Sequence, residues 1–189
     1  RVDVSHFRLS AHLLIAFLIL SLIYWNYLKI SISKNITNKL NTFIPLLFLI
    51  LIFLQISIGA FVSGMDAGKI YNSWPLMGNS YFPDDNNLNN LFKVTAFSDP
   101  SLVQFIHRNL AYLIGAFYVL ILYKVYINKM HDFYKSINYL GLFIILQIIL
   151  GIFTVLYGAQ IYIASMHQIS SIFLVSSSIY FFYLNTKFN

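Results

Sequence analysis

The chain has 189 residues, of which 59% are hydrophobic and 10% charged, with a formal net charge of +6 and a mean hydropathy of +0.72. A soluble domain carries roughly 45–50% apolar and about 25% charged residues, so this chain cannot cover a water-facing surface and most of its exterior must face lipid. The absence of cysteine excludes a disulfide-stapled scaffold and thiolate metal chemistry in this sequence.

Residue 1 is Arg, and no basic region, short apolar core and small-residue cleavage pattern opens the sequence, so no signal peptide is read. The expectation is a processed chain or a piece of a longer one. A helix that crosses the hydrocarbon layer needs about 20 mostly apolar residues. Five such runs follow in order, at residues 9–28, 43–64, 102–123, 137–157 and 160–184. They are too long for barrel strands and lack a two-residue alternation. The expected fold class is therefore all-α: a polytopic integral membrane helical bundle with five transmembrane helices. Between the runs lie residues 29–42, a long segment at 65–101, residues 124–136 and a tight turn around Gly158. That turn makes the last two helices antiparallel neighbours.

The basic residues set the orientation. Lys29, Lys34 and Lys39 occupy the first connection, Lys124, Lys129 and Lys135 the third, and Lys187 follows the last run. The long second connection carries Lys69 and Lys93 against Asp66, Asp84, Asp85 and Asp99. By the positive-inside rule the first and third connections and the C-terminus are cytoplasmic, and the long loop and N-terminus face outward. The positive surplus then lies along an anionic lipid surface, and no nucleic-acid partner is needed to explain it.

A short internal echo connects runs two and four. Leu54-Gln55-Ile56 with Gly59 recurs as Leu146-Gln147-Ile148 with Gly151, and Ser10-Ala11-His12 is echoed by Ser165-Met166-His167. Internal repeats are common in membrane proteins, although matches this short arise easily by chance.

Three histidines are the informative polar groups. His12, His107 and His167 each lie one to two turns inside the outer end of a run, roughly 6–11 Å below the boundary at about 1.5 Å per residue. Three helices thus place an imidazole in one outer layer, and paired imidazoles on facing helices make a haem site. One turn below them come Ala16, Ala111 and Ser171, with Gly115 beneath Ala111. Small residues there leave room for a flat macrocycle, and they equally permit close helix packing. A membrane histidine more commonly bonds a neighbouring helix than a metal, so that alternative stands beside ligation. His6, just outside run one, and His131, in a Lys-rich connection, are expected to be solvated and are assigned no role. Arg108 follows His107; a guanidinium there either snorkels to the interface or clamps carboxylates such as haem propionates.

These motifs resemble a known family. Leu54-Gln55-x-x-x-Gly59, then Gly64-Met65-Asp66-Ala67-Gly68-x-x-Tyr71-Asn72-Ser73-Trp74-Pro75-Leu76-Met77 in the outer loop, is similar to haem A synthase of the alphaproteobacterial and mitochondrial type. So are Gln104-Phe105-x-His107-Arg108-x-x-Ala111-Tyr112 and Met166-His167-Gln168. The Asp-Ala-Gly through Trp-Pro-Leu-Met run is the most specific of these.

The resemblance implies an eight-helix, two-half architecture of which this chain is the C-terminal five-helix fragment. Residues 1–42 would hold the last helix of the N-terminal half and a cytoplasmic connection; residues 43–189 would form a four-helix haem-binding half with the long outer loop at 65–101. It implies His107 and His167 as axial ligands of a haem b, with Arg108 beside it, and His12 on the side of the substrate haem. The partner of His12 and the family's acidic residue in its first outer loop are absent from this sequence, which has no Glu. The implied chemistry is oxidation of the C8 methyl of haem O to the formyl group of haem A, with water as the oxygen source, for cytochrome oxidase. The implied partners are a haem O-producing farnesyltransferase and an electron acceptor such as quinone, in the bacterial inner membrane or the mitochondrial inner membrane; a homo-oligomer is left open. Asp66 at the start of the loop could act on a proton or cap the helix end, and the structural role is the favoured expectation. The alternative function is a bis-histidine membrane cytochrome that carries electrons to or from quinone.

Overall fold

A computed structural model describes residues 5–32, 36 and 38–186. Lys34 and Lys187, which contributed to the orientation argument, lie outside the described residues. Five long helices cover the expected runs: α1 (His6–Ser31), α2 (Phe43–Gly64), α4 (Pro100–Ile127), α5 (His131–Leu156) and α6 (Ile161–Thr186), with a one-turn α3 (Leu88–Leu91) in the long loop. All five are long and apolar enough to cross a membrane. Among the described residues there is no strand, only a single bridge between Met77 and Ser80.

Most of these helices outrun the apolar segments that predict them, because peptide groups in the interfacial layer gain from intrahelical bonding whatever the side chain. The largest difference is at the third connection. Residues 124–136 were expected to form a loop, but α4 runs to Ile127 and α5 starts at His131. Asn128, Lys129 and Met130 make the turn, with Lys129 in the left-handed region at φ 48. At the outer side, Asp99 caps α4 by accepting from the Leu102 backbone N–H at 3.0 Å, and Pro100 occupies the first turn. Proline suits that position because its missing N–H would be unbonded there anyway. The last turn is as tight as expected, with Gly158 at φ 63 and Ala159 at φ 55.

Helix α2 packs on α4, α4 on α5, α5 on α6 and α6 on α2, while α1 lies outside against α2 and α6. The four later helices thus close a ring whose diagonals are α2/α5 and α4/α6. The fully buried apolar cluster draws on the half of this ring next to the first and third connections: Phe48 and Ile52 of α2, Ile121 and Val125 of α4, Ile137 and Leu140 of α5, Val175 and Ile179 of α6. Asn185 clamps that end by exchanging two hydrogen bonds with the Leu40 backbone, at 2.8 and 3.0 Å. Outward, a second buried set, Ala67, Met77, Ala96, Leu102 and Val103, belongs to the loop and the first turn of α4. The histidine layer lies between these two packed regions.

Candidate functional site

His107 projects from α4 and His167 from α6, the two helices that face each other across a diagonal of the ring, and both residues are half-buried. Each ring rests on a glycine of an adjacent helix. A Cβ built on Gly59 would stand 3.1 Å from Cε1 of His107, and one on Gly151 would stand 3.3 Å from Cε1 of His167. One turn before each glycine is a glutamine. Gln55 Nε2 donates to the His107 backbone carbonyl at 3.1 Å and stands 3.3 Å from the ring Nε2. Gln147 Nε2 donates to the His167 carbonyl at 3.0 Å and to Ser170 Oγ at 2.5 Å. Ser170 Oγ in turn donates to the same carbonyl at 3.0 Å.

The short Leu-Gln-Ile-x-x-Gly echo therefore has a spatial meaning. In both copies, glutamine and glycine share one face of a helix because they are four residues apart. They meet a histidine on the next helix in the same way. The small residues that the sequence draws attention to lie one turn below each histidine on its own helix; those in contact with the rings are Gly59 and Gly151, on other helices. The signal that could have found them was the repeat itself.

These residues fit a bis-histidine haem. Nδ1 of both His107 and His167 is buried without a hydrogen-bond partner, and among the described residues nothing bonds the His167 ring. A buried imidazole nitrogen left unpartnered is costly, and nitrogen donors of this kind suit iron. The glycine cradles keep a side chain from filling the space beside each ring.

The structure does not bring His12 into this pair. Ser10, one of the buried residues of α1, is bonded to Ser57 of α2, with 2.7 Å between the hydroxyls. Two residues on, at about 200° around the helix, His12 faces away from α2 and is exposed. Among the described residues no group of three or more His, Cys, Asp or Glu side chains converges on a metal position. His6 differs from expectation: it begins α1, its ring meets Phe61 edge-on at 5.4 Å, and its Nε2 is buried without a partner. The helix begins early enough to carry this ring onto α2. His131 is exposed as expected.

Arg108 is buried at 8% exposure, and its guanidinium is committed to the outer loop. Nη1 donates to the carbonyls of Ser73 (2.9 Å) and Leu76 (3.3 Å), and Nη2 to that of Tyr71 (2.9 Å). Gln104, one turn earlier, donates to the same Tyr71 carbonyl at 3.1 Å. In Gln104-x-x-His107-Arg108, the first and last side chains hold the loop while the histidine turns inward.

Other contacts extend the fastening. Trp74 Nε1 donates to Tyr112 Oη at 2.9 Å. Asn72 donates to the carbonyls of Gly68 (3.0 Å) and Val155 (2.9 Å), which ties the loop to the end of α5. Tyr71 Oη donates to Asp85 at 2.9 Å; desolvation, and then the carboxylate beside it, push this phenol above its ordinary range. Asp84 is held below its ordinary range by bonds from the Ser80 hydroxyl and the Asn79 backbone N–H. Asp66 sits at φ 52 after α2 and pairs with Lys69 at 2.7 Å, both largely exposed. Its side chain makes no cap bond, so its place at the helix end rests on backbone conformation.

The sequence matches the family described as Cytochrome oxidase assembly protein (COX15-CtaA) over residues 1–179. It is 46% identical over 185 residues to the protein named Heme A synthase of Pelagibacter ubique (strain HTCC1062), covering 98% of this chain and 54% of that protein. The Heme A synthase of Rickettsia bellii (strain RML369-C) is 37% identical over 92% of this chain, and that of Rickettsia prowazekii (strain Madrid E) 36% over 96%. The chain spans about half the length of the curated relatives it matches (53% and 55% of the two Rickettsia proteins). No solved structure matches it. Five membrane-length helices, the paired histidines and a match over nearly the whole length together place the chain in the COX15-CtaA family of cytochrome oxidase assembly proteins.

Proposed function

We propose that this chain supplies the C-terminal five of eight helices of a haem A synthase in the bacterial inner membrane, or the mitochondrial inner membrane in a eukaryotic source. The division after residue 42 is supported by packing, since α2, α4, α5 and α6 close a ring and α1 lies outside it. The observation that carries the site assignment is the pairing of His107 and His167 across that ring, each on a glycine cradle and each with a buried unpaired Nδ1.

His107 and His167 would hold a haem b, and such a group would supply electron transfer. His107 and His167 present imidazole nitrogens, Gly59 and Gly151 keep the space open, and Arg108 and Gln104 hold the loop over the outer end. His12, on the exposed face of α1, would serve the substrate haem together with residues outside this chain. The substrate reaction converts the C8 methyl of haem O to a formyl group. It takes its oxygen from one water and releases four electrons and four protons, which an acceptor such as a quinone must collect. A farnesyltransferase that makes haem O would be the natural upstream partner.

The complete protein, expressed in a host that makes haem O, should yield haem A by mass spectrometry. A haem-loaded protein that yields none would overturn the enzymatic assignment. His107→Ala and His167→Ala should each abolish the low-spin haem spectrum, and an unchanged spectrum in both would remove the ligand assignment. We also expect the isolated 189-residue chain to be inactive, and turnover by it alone would contradict this.

A further inference from the structure

Glutamine inside an apolar membrane helix is costly unless its amide is bonded. Two occur at equivalent places, and both spend their N–H groups on the backbone of a histidine-bearing helix rather than on a chain end or a loop. Gln55 reaches the carbonyl of His107 at 3.1 Å, and Gln147 that of His167 at 3.0 Å. A helical carbonyl accepts one bond within its own helix and has a second lone pair for such a donor, which at His167 is shared with the Ser170 hydroxyl. Each bond therefore fixes the height of one helix against its neighbour at the histidine itself. The glycine one turn further then meets the ring edge, at 3.1 Å for Gly59 and 3.3 Å for Gly151 from a built Cβ.

We propose that Gln55 and Gln147 are a matched pair of positioning residues that aim His107 and His167 toward a common ligand; this rests on the assignment of those histidines as haem ligands. The two are not equivalent. Gln147 is locked in a triangle with Ser170 Oγ and the His167 carbonyl, so it acts on the helix alone. Gln55 additionally lies 3.3 Å from Nε2 of its own histidine, so it touches the ring as well as the helix.

The test uses the complete protein, purified in detergent, with Gln55→Met, Gln147→Met, Gln55→Asn and Gln147→Asn. Methionine keeps the length but has no N–H, and asparagine keeps the amide but falls one methylene short. The readouts are haem retention against apomyoglobin as competing acceptor, the low-spin ferric electron paramagnetic resonance signal, and thermal melting. Removing a group that orients a metal ligand typically costs about 10–100-fold in affinity. Each methionine variant should therefore release haem at least about tenfold more readily and shift the resonance of the haem it retains, with a larger shift for Gln55 than for Gln147. If a methionine variant fails to fold, the asparagine variant at that position should give the same loss and shift.

Unchanged retention and resonance in variants that fold, while His107→Ala and His167→Ala lose the low-spin signal, would overturn the positioning role and leave the ligand assignment standing. A lowered melting temperature with an unshifted resonance would also overturn it, because that is what a merely structural bond produces. Retention of the low-spin signal in both histidine variants would overturn the ligand assignment and this proposal together.

Discussion

A methyl group added at Gly59 separates helix stability from haem binding, because the two respond with opposite sign. Alanine in a helix interior is better than glycine by about 1 kcal/mol, so on backbone grounds Gly59→Ala should stabilise α2. The new Cβ would stand 3.1 Å from Cε1 of His107, whereas carbon atoms in favourable contact lie about 3.5 Å apart. The imidazole must therefore retreat by about 0.4 Å, and Gln55, bonded to the carbonyl of the same residue, resists a shift of the whole helix. At Gly151 the built contact is 3.3 Å, and the retreat is about 0.2 Å. Gly115 provides the control: its Cβ would meet only Ile148 Cδ1 at 3.9 Å, an ordinary contact.

The assay is haem content and the optical spectrum of the purified complete protein, set beside thermal melting of the haem-free form. Gly115→Ala should keep the spectrum. Gly151→Ala should weaken haem retention a little, and Gly59→Ala by about tenfold or more, in the range seen when ligand orientation is disturbed. None of the three haem-free proteins should melt substantially lower than the parent. If Gly59→Ala retained haem as well as Gly115→Ala does, the cradle would have no bearing on the ligand and the reasoning would be refuted.

Three further outcomes follow from other parts of the molecule. Arg108→Leu removes charge-assisted bonds to three loop carbonyls, each worth about 1.5–3 kcal/mol. Proteolysis of the outer loop should accelerate by roughly 100-fold or more, and an unchanged cleavage rate would show that the loop is held elsewhere. Asp84 has its carboxyl held below the ordinary value of 3.8, so its contribution to loop stability is complete above that value and is lost as pH falls further through the depressed pKa. Pepsin cleavage of the loop should therefore rise as pH drops below about 3.8, and an identical rise in Asp84→Asn would remove Asp84 as the cause. Finally, a Cβ on Gly141 would come within 2.0 Å of Tyr118 Oη. Gly141→Ala should lower stability by about 1–3 kcal/mol, and Tyr118→Phe should restore part of it. Failure of that rescue in thermal melting would mean that the clash lies elsewhere.

Several residues show how far the sequence reaches and where it stops. His107 and His167 stood out as polar groups in apolar helices, and their depth followed from counting turns. His12 shared that depth, but depth says nothing about azimuth. The packing of α1, through the Ser10–Ser57 contact and the buried Phe17 and Leu28, fixes its rotation and leaves His12 exposed. Arg108 was legible as a buried cation in need of acceptors, and the carboxylates of a ligand were one reasonable choice. The acceptors in the structure are loop carbonyls some thirty-five residues earlier in the chain, a distance that no local pattern reports. The repeat at Gln55 and Gln147 was visible but too short to interpret, because its partners lie on other helices.

The sequence by itself determined the class of molecule and the five helices. Those follow from local quantities: apolar length and the cost of exposing a peptide group to lipid. Tertiary structure decided which helices are neighbours, which histidines rest on a glutamine and a glycine of an adjacent helix, and what each polar side chain bonds. Lipid-facing and bundle-facing residues are equally apolar, so hydropathy carries no record of which face turns inward. That choice is made by a few glycines and hydrogen-bonded polar groups whose partners are distant in the chain.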